Sequence, residues 1–147
     1  MKKIILSCFT LILFAGIAKA QTNEIFAPDG KAIRGYDPVA FYKEQKPVKG
    51  IDSLAYTWKN ATWFFSSAAN LDSFKANPGR YAPQYGGYCA YGTSEGHKAP
   101  TETDTWTIVD DKLYFNYNTK VKERWTKNQQ ELIEKANAQW PLIKDKQ

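Results

Sequence analysis

Apolar and polar residues change their spacing several times along the chain, and each change marks an element. A leading loop runs from Asn23 to Lys31 and contains the turn signal Pro28-Asp29-Gly30. Asp37 then precedes Pro38, a capping acid followed by a residue preset for the first helical position, which predicts a helix of one or two turns. Leu54, Tyr56 and Trp58 alternate with Ala55 and Thr57, the period of a strand. Lys59-Asn60 supplies a turn, because Asn tolerates the left-handed conformation, and Thr62 to Phe65 returns as a β-branched and aromatic strand. Ser66 or Ser67 can cap the next helix, in which Ala68, Leu71 and Phe74 share a face, and Asn77-Pro78 stops it.

A second hairpin follows. Trp106 and Ile108 alternate before an Asp110-Asp111 turn, and Leu113, Phe115 and Tyr117 line one face of the return strand. The end is helical, capped by Asn118 or Thr119, with Val121, Trp125, Leu132, Ala136 and Trp140 at helical spacing. Polar Asn128 and Gln129 stand where another apolar contact should fall, so this stretch either breaks near 126–130 or is two helices; Pro141 ends it. Two hairpins with separated helices predict an α+β domain, a small antiparallel sheet with packed helices. No internal repeat, low-complexity tract or linker interrupts it.

The first twenty residues stand apart. A basic start, the apolar run "IILSCFTLILFAGIA" and a closing "AKA" form the pattern of a secretory signal peptide cut after Ala20. The run is shorter than the roughly 20 residues of a spanning helix, and no later run is long enough either. The expected product is one domain over residues 21–147, in the periplasm or outside the cell. Losing Lys2, Lys3 and Lys19, with no acid among them, lowers the net charge from +5 to +2. Export and this modest charge argue against nucleic acid as a partner. All five tryptophans and all nine tyrosines follow Ala20, which argues against disorder. Cys8 leaves with the signal, so Cys89 has no internal disulfide partner; it is a packed small hydrophobe, a ligand or a reactive thiol.

"YDPVAFY" and "ATWFFSSAANLDSFKANPGRYAP" resemble the YHS domain family, and the run continuing through "QYGGYCAYG" and "WTIVDDKLYFNYN" is similar to an exported, single-domain branch of it. The resemblance covers nearly all of residues 21–147 and implies a YHS-like fold; the function of that branch is largely unknown. In metal-binding members the ligands are presumed cysteines, and these positions fall here on Ala40, Ser66 and Asn70. Alanine cannot ligate, and Ser and Asn are poor ligands for a soft metal, so that metal function does not transfer by its usual residues.

Other chemistry gathers in "YAPQYGGYCAYG" and just after it. Cys89 and His97, the one thiol and one imidazole after Ala20, lie eight residues apart and suit copper, zinc or haem iron. A closed zinc site needs about four protein ligands, so a tyrosine, Asp or Glu would have to complete the set. The competing reading is a packed cysteine and a solvated loop histidine. A Cys-His nucleophile and base would need mutual contact, an orienting group and an oxyanion site, none of which the sequence displays. Gly86-Gly87 permits close approach of a ligand or of a neighbouring strand. Tyr85, Tyr88 and Tyr91 offer flat apolar surface with polar tips, either as a binding surface or as filling between the hairpins. Lys120, Arg124 and Lys127 form a basic stripe, open to acidic partners or lipid headgroups, or simply solvated.

The expectation is a non-enzymatic binding module. Tyr85, Tyr88 and Tyr91 would line its pocket, and Cys89 and His97 would hold a transition metal or a metal-bearing cofactor. The alternative is a structural or interaction protein of the cell envelope with a buried, inert Cys89. The sequence carries no signal for oligomeric state.

Overall fold

The computed structural model describes residues 23–147. The apolar leader, its cleavage point and Cys8 lie outside the described residues. Strands β1 (Ile51–Trp58) and β2 (Ala61–Phe65) form the first antiparallel hairpin, with Lys59 at φ 49° and Asn60 at φ 60° making the turn. Two left-handed residues in a row match the right-handed twist of the flanking strands. β3 (Thr107–Val109) and β4 (Lys112–Tyr114) form the second, turned by Asp110 and Asp111 at φ 49° and 60°.

The architecture is α+β, but the hairpins form two separate two-stranded sheets rather than one. Three-residue strands leave little edge to share. The second hairpin joins the rest through an isolated parallel bridge, Cys89 to Phe115, and β2 is flanked by a bridge from Thr62 to Lys31.

Six α-helices surround the sheets: α1 (Ala40–Lys43), α2 (Ala68–Ala76), α3 (Pro78–Tyr81), α4 (Ala90–Ser94), α5 (Thr119–Lys127) and α6 (Gln129–Ile143). Ser67 caps α2 by accepting from Asn70 N, and Asn118 caps α5 by accepting from Val121 N. Pro78 stops α2 and also starts α3, since Asn77 caps that single turn through Arg80 N. The polar gap at Asn128 separates α5 from α6. Pro141 does not end α6. It sits in the last turn, where its missing N–H removes one bond, and the helix continues to Ile143.

Two apolar clusters make the core. The first gathers Phe41, Trp63, Phe65, Phe74, Leu113 and Phe115 between the first hairpin, α1, α2 and β4. The second gathers Tyr85, Ala90, Tyr114, Trp125, Ile133 and Ala136 under α5 and α6. β4 serves both, because Leu113 and Tyr114 point to opposite sides. Tyr117 does not extend the Leu113–Phe115 face: the strand ends at Tyr114 and the Tyr117 ring is 50 % exposed.

Asp37 ties the first cluster together. It is fully buried, and Oδ1 accepts from Val39 N at 2.8 Å and Ala40 N at 3.2 Å. Oδ2 accepts from Ser66 N at 2.8 Å, Ser66 Oγ at 2.7 Å and Asn70 Nδ2 at 2.8 Å. A buried carboxylate is tolerable only when its lone pairs are used in this way. Ala40, Ser66 and Asn70 therefore converge on one acid, and Lys43 Nζ reaches Asn70 Oδ1 at 3.4 Å from outside.

Candidate functional site

The stretch from Gln84 to Pro100 begins with a left-handed turn, Tyr85 at φ 56°, Gly86 at 62° and Gly87 at 88°. Gly86 answers to a neighbouring chain segment rather than a ligand: a Cβ there would lie 1.8 Å from the Glu24 carbonyl oxygen, and Phe26 N donates to Gly86 O at 2.8 Å. This contact clamps the first described residues onto the turn.

The three tyrosines have separate duties. Tyr85 is buried against Tyr114 and Trp140, and its hydroxyl donates to Asn137 Oδ1 at 2.9 Å. Burial raises its pKa, with the nearby Tyr114 adding to the shift. Tyr91 is half-buried against the second cluster. Tyr88 faces open space. Its ring packs between Phe26 and Trp140 at centroid distances of 5.6 and 6.3 Å, and its hydroxyl donates to Asn23 O at 2.9 Å.

Lys98 lies over the Tyr88 ring, 5.2 Å from its centroid. Its ammonium donates to three carbonyls, Asn23 O at 3.0 Å, Lys144 O at 2.7 Å and Lys146 O at 2.6 Å. It thereby serves the carbonyl end of α6 and the start of the described chain together. No acid forms a contact ion pair with it among the described residues. Burial lowers its pKa, partly offset by the more distant Asp145 and Glu24.

Asn23, Tyr88 and Lys98 form the common wall of two cavities. The larger, about 500 Å³, is completed by Phe26, Pro28, Lys59, Asn60 and Pro100 among others. The smaller, about 330 Å³, is completed by His97, Ile143 and Lys146 among others. The larger is in the size range of small-molecule sites. Lys59 at its rim is already paired with Glu24 at 2.6 Å.

Cys89 turns inward and borders neither cavity. It is 2 % exposed and caps α4, its sulfur accepting from Gly92 N at 3.4 Å. The thiol lies 3.6 Å from Asn116 Oδ1. Burial raises its pKa against the opposing pull of backbone N–H groups of Gly92, Tyr117 and Tyr91. His97 is exposed, and its backbone N–H donates to Gly92 O at 3.1 Å. A Cβ on Gly92 would come within 3.2 Å of His97 Nε2, so thiol and imidazole both approach this one glycine. The side-chain partner of the thiol is Asn116, not His97. Among the described residues no group of three or more His, Cys, Asp or Glu is placed to hold a metal ion.

Sequence reasoning missed Asn116 and Lys98. Asn116 Oδ1 also accepts from Tyr91 N at 3.2 Å, while its buried Nδ2 has no partner among the described residues. Neither residue carries a local signal, since each acts across a long sequence separation. Comparisons with protein-family models, curated proteins and solved structures return no match.

Proposed function

We propose that the protein is an exported, YHS-like binding module without chemistry of its own, which holds a small organic anion against Tyr88 and Lys98. One observation carries the reading: the Lys98 ammonium, with no contact acid among the described residues, forms with the Tyr88 ring the shared wall of two cavities. A carboxylate or similar group would supply the counter-charge by displacing one of the three carbonyls that hold the ammonium, and the Tyr88 face would take a flat apolar part. The three positions that the YHS resemblance assigns to metal ligands, Ala40, Ser66 and Asn70, here donate through Ala40 N, Ser66 Oγ and Asn70 Nδ2 to Asp37.

The test is a thermal-shift panel of aromatic monocarboxylates against their neutral amides. The acids raise the melting temperature of the wild type, the amides do not, and Tyr88→Ala removes most of the effect. Equal shifts from acids and amides, or an unchanged response in Tyr88→Ala, overturn the reading.

A second reading is favoured by the N–H groups around the Cys89 sulfur. They would stabilise a thiolate once a soft cation replaced its proton, because a neutral metal thiolate escapes the burial penalty of a bare one. Silver(I) titration of wild type and Cys89→Ala separates the two, since only this second reading expects stoichiometric uptake that depends on Cys89.

A further inference from the structure

We propose that α5 docks the protein onto an anionic lipid surface. Trp125 is fully buried and packs on Tyr114 at 5.4 Å, which fixes the rotation of the helix. At about 100° per residue, Lys120, Arg124 and Lys127 then fall within an arc of about 60° on the side away from Trp125. All three are exposed, and none takes part in an ion pair among the described residues, where the pairs involve other elements. Lys122, also on α5, is committed to Trp106 O at 2.9 Å.

The charge is concentrated. Of the net +2 carried by residues 21–147, α5 contributes +3, from Lys120, Lys122, Arg124 and Lys127 against Glu123, leaving −1 for the rest. The positive excess of residues 21–147 therefore resides in this helix, and its field orients the approach to a negative partner. Tyr117, half exposed just before the helix cap, places an amphipathic ring beside the charges, the residue type that settles at headgroup depth. The groove along this helix, lined by Thr119, Lys122, Glu123, Thr126 and Lys127, carries the Glu123 carboxylate and leaves out Lys120 and Arg124. The cationic face is instead spread over about 10 Å of helix. It matches a flat array of headgroups, so the occupant is a bilayer rich in anionic phospholipid.

Vesicle co-sedimentation tests this with the chain from Gln21 onward, which contains both core clusters entire. Wild type sediments at low salt with vesicles of about one-third phosphatidylglycerol and not with pure phosphatidylcholine, and about 0.5 M salt releases it. Lys120→Gln/Arg124→Gln/Lys127→Gln lowers the partition coefficient about a hundredfold. Lys46→Gln/Lys49→Gln/Lys75→Gln removes the same charge from exposed positions elsewhere and retains binding. The proposal is overturned if wild type ignores anionic vesicles at low salt or if both triple variants weaken binding equally. It is also overturned if soluble polyglutamate binds wild type as tightly as the vesicles do, which would make the partner an acidic protein.

Discussion

Around Asp37, two carboxylate oxygens receive five hydrogen bonds in a space with no room to spare. Around Trp125 and Asn116 the packing is looser in its polar detail. Among the described residues, the three buried side-chain polar atoms without a partner are Thr107 Oγ1, Asn116 Nδ2 and Trp125 Nε1, none of them in the first cluster. Of the two cavities walled by Tyr88, the larger borders the first cluster through Ile25 and Ala61, and the smaller lies against the end of α6 at Ile143. The polar groups around Asp37 thus fix a shape, whereas unused donors lie around Trp125 and Asn116 and open space lies along Tyr88 and Lys98. Unsatisfied groups and strained turns are tolerated where a fold serves something beyond its own stability.

The largest expected effect tests the region around Asp37. Asp37→Ala leaves Ser66, Asn70 and two backbone N–H groups without an acceptor and costs about 3–5 kcal/mol in urea unfolding. A loss below about 1 kcal/mol would mean that the hub is replaceable by water. Next is Gly86→Ala, which sets a Cβ against the Glu24 carbonyl at a left-handed position; a loss of about 3 kcal/mol is expected, with release of the leading segment seen by limited proteolysis.

A matched pair compares the regions directly. Trp63 and Trp125 are both fully buried, but Trp63 Nε1 donates to Trp58 O at 3.1 Å and Trp125 Nε1 has no partner. Trp63→Phe therefore costs about 1–2 kcal/mol more than Trp125→Phe. Equal costs would erase the distinction between the regions.

A smaller effect comes with alkali. Burial pushes Tyr42 up to about 12 and raises Tyr85, Tyr88, Tyr114 and Cys89. The unfolded chain releases these protons first, so the stabilisation is complete below about pH 8.5 and declines as pH climbs through the raised values. Lys98, lowered by burial, acts in the opposite sense but is one group against five. Urea midpoints that hold from neutral pH to about 8.5 and fall above it are the expected result. A midpoint that stays flat there contradicts the burial of these groups.

What could be read from the sequence was local. The caps at Asp37, Ser67 and Asn118, the turns at Lys59-Asn60 and Asp110-Asp111 and the break at Asn128 each depend on a few neighbouring residues. The site was only partly legible. Tyr88 stood out as an aromatic beside glycines, yet nothing local separates its outward ring from the inward ring of Tyr85. Lys98 reads as an ordinary solvated lysine because its partners, Asn23, Lys144 and Lys146, lie 75, 46 and 48 residues away. Cys89 and His97 are close in sequence, but burial divides them, one inside and one outside.

The most direct test of the claim that the cavities walled by Tyr88 and Lys98, and not the Asp37 hub, are the binding side is an amide chemical-shift titration with an aromatic carboxylate. The account predicts shifts confined to residues 23–30, 59–61, 88 and 96–99, saturating together. Shifts centred on Asp37, Ser66 and Asn70, or none at a saturating concentration, would contradict it.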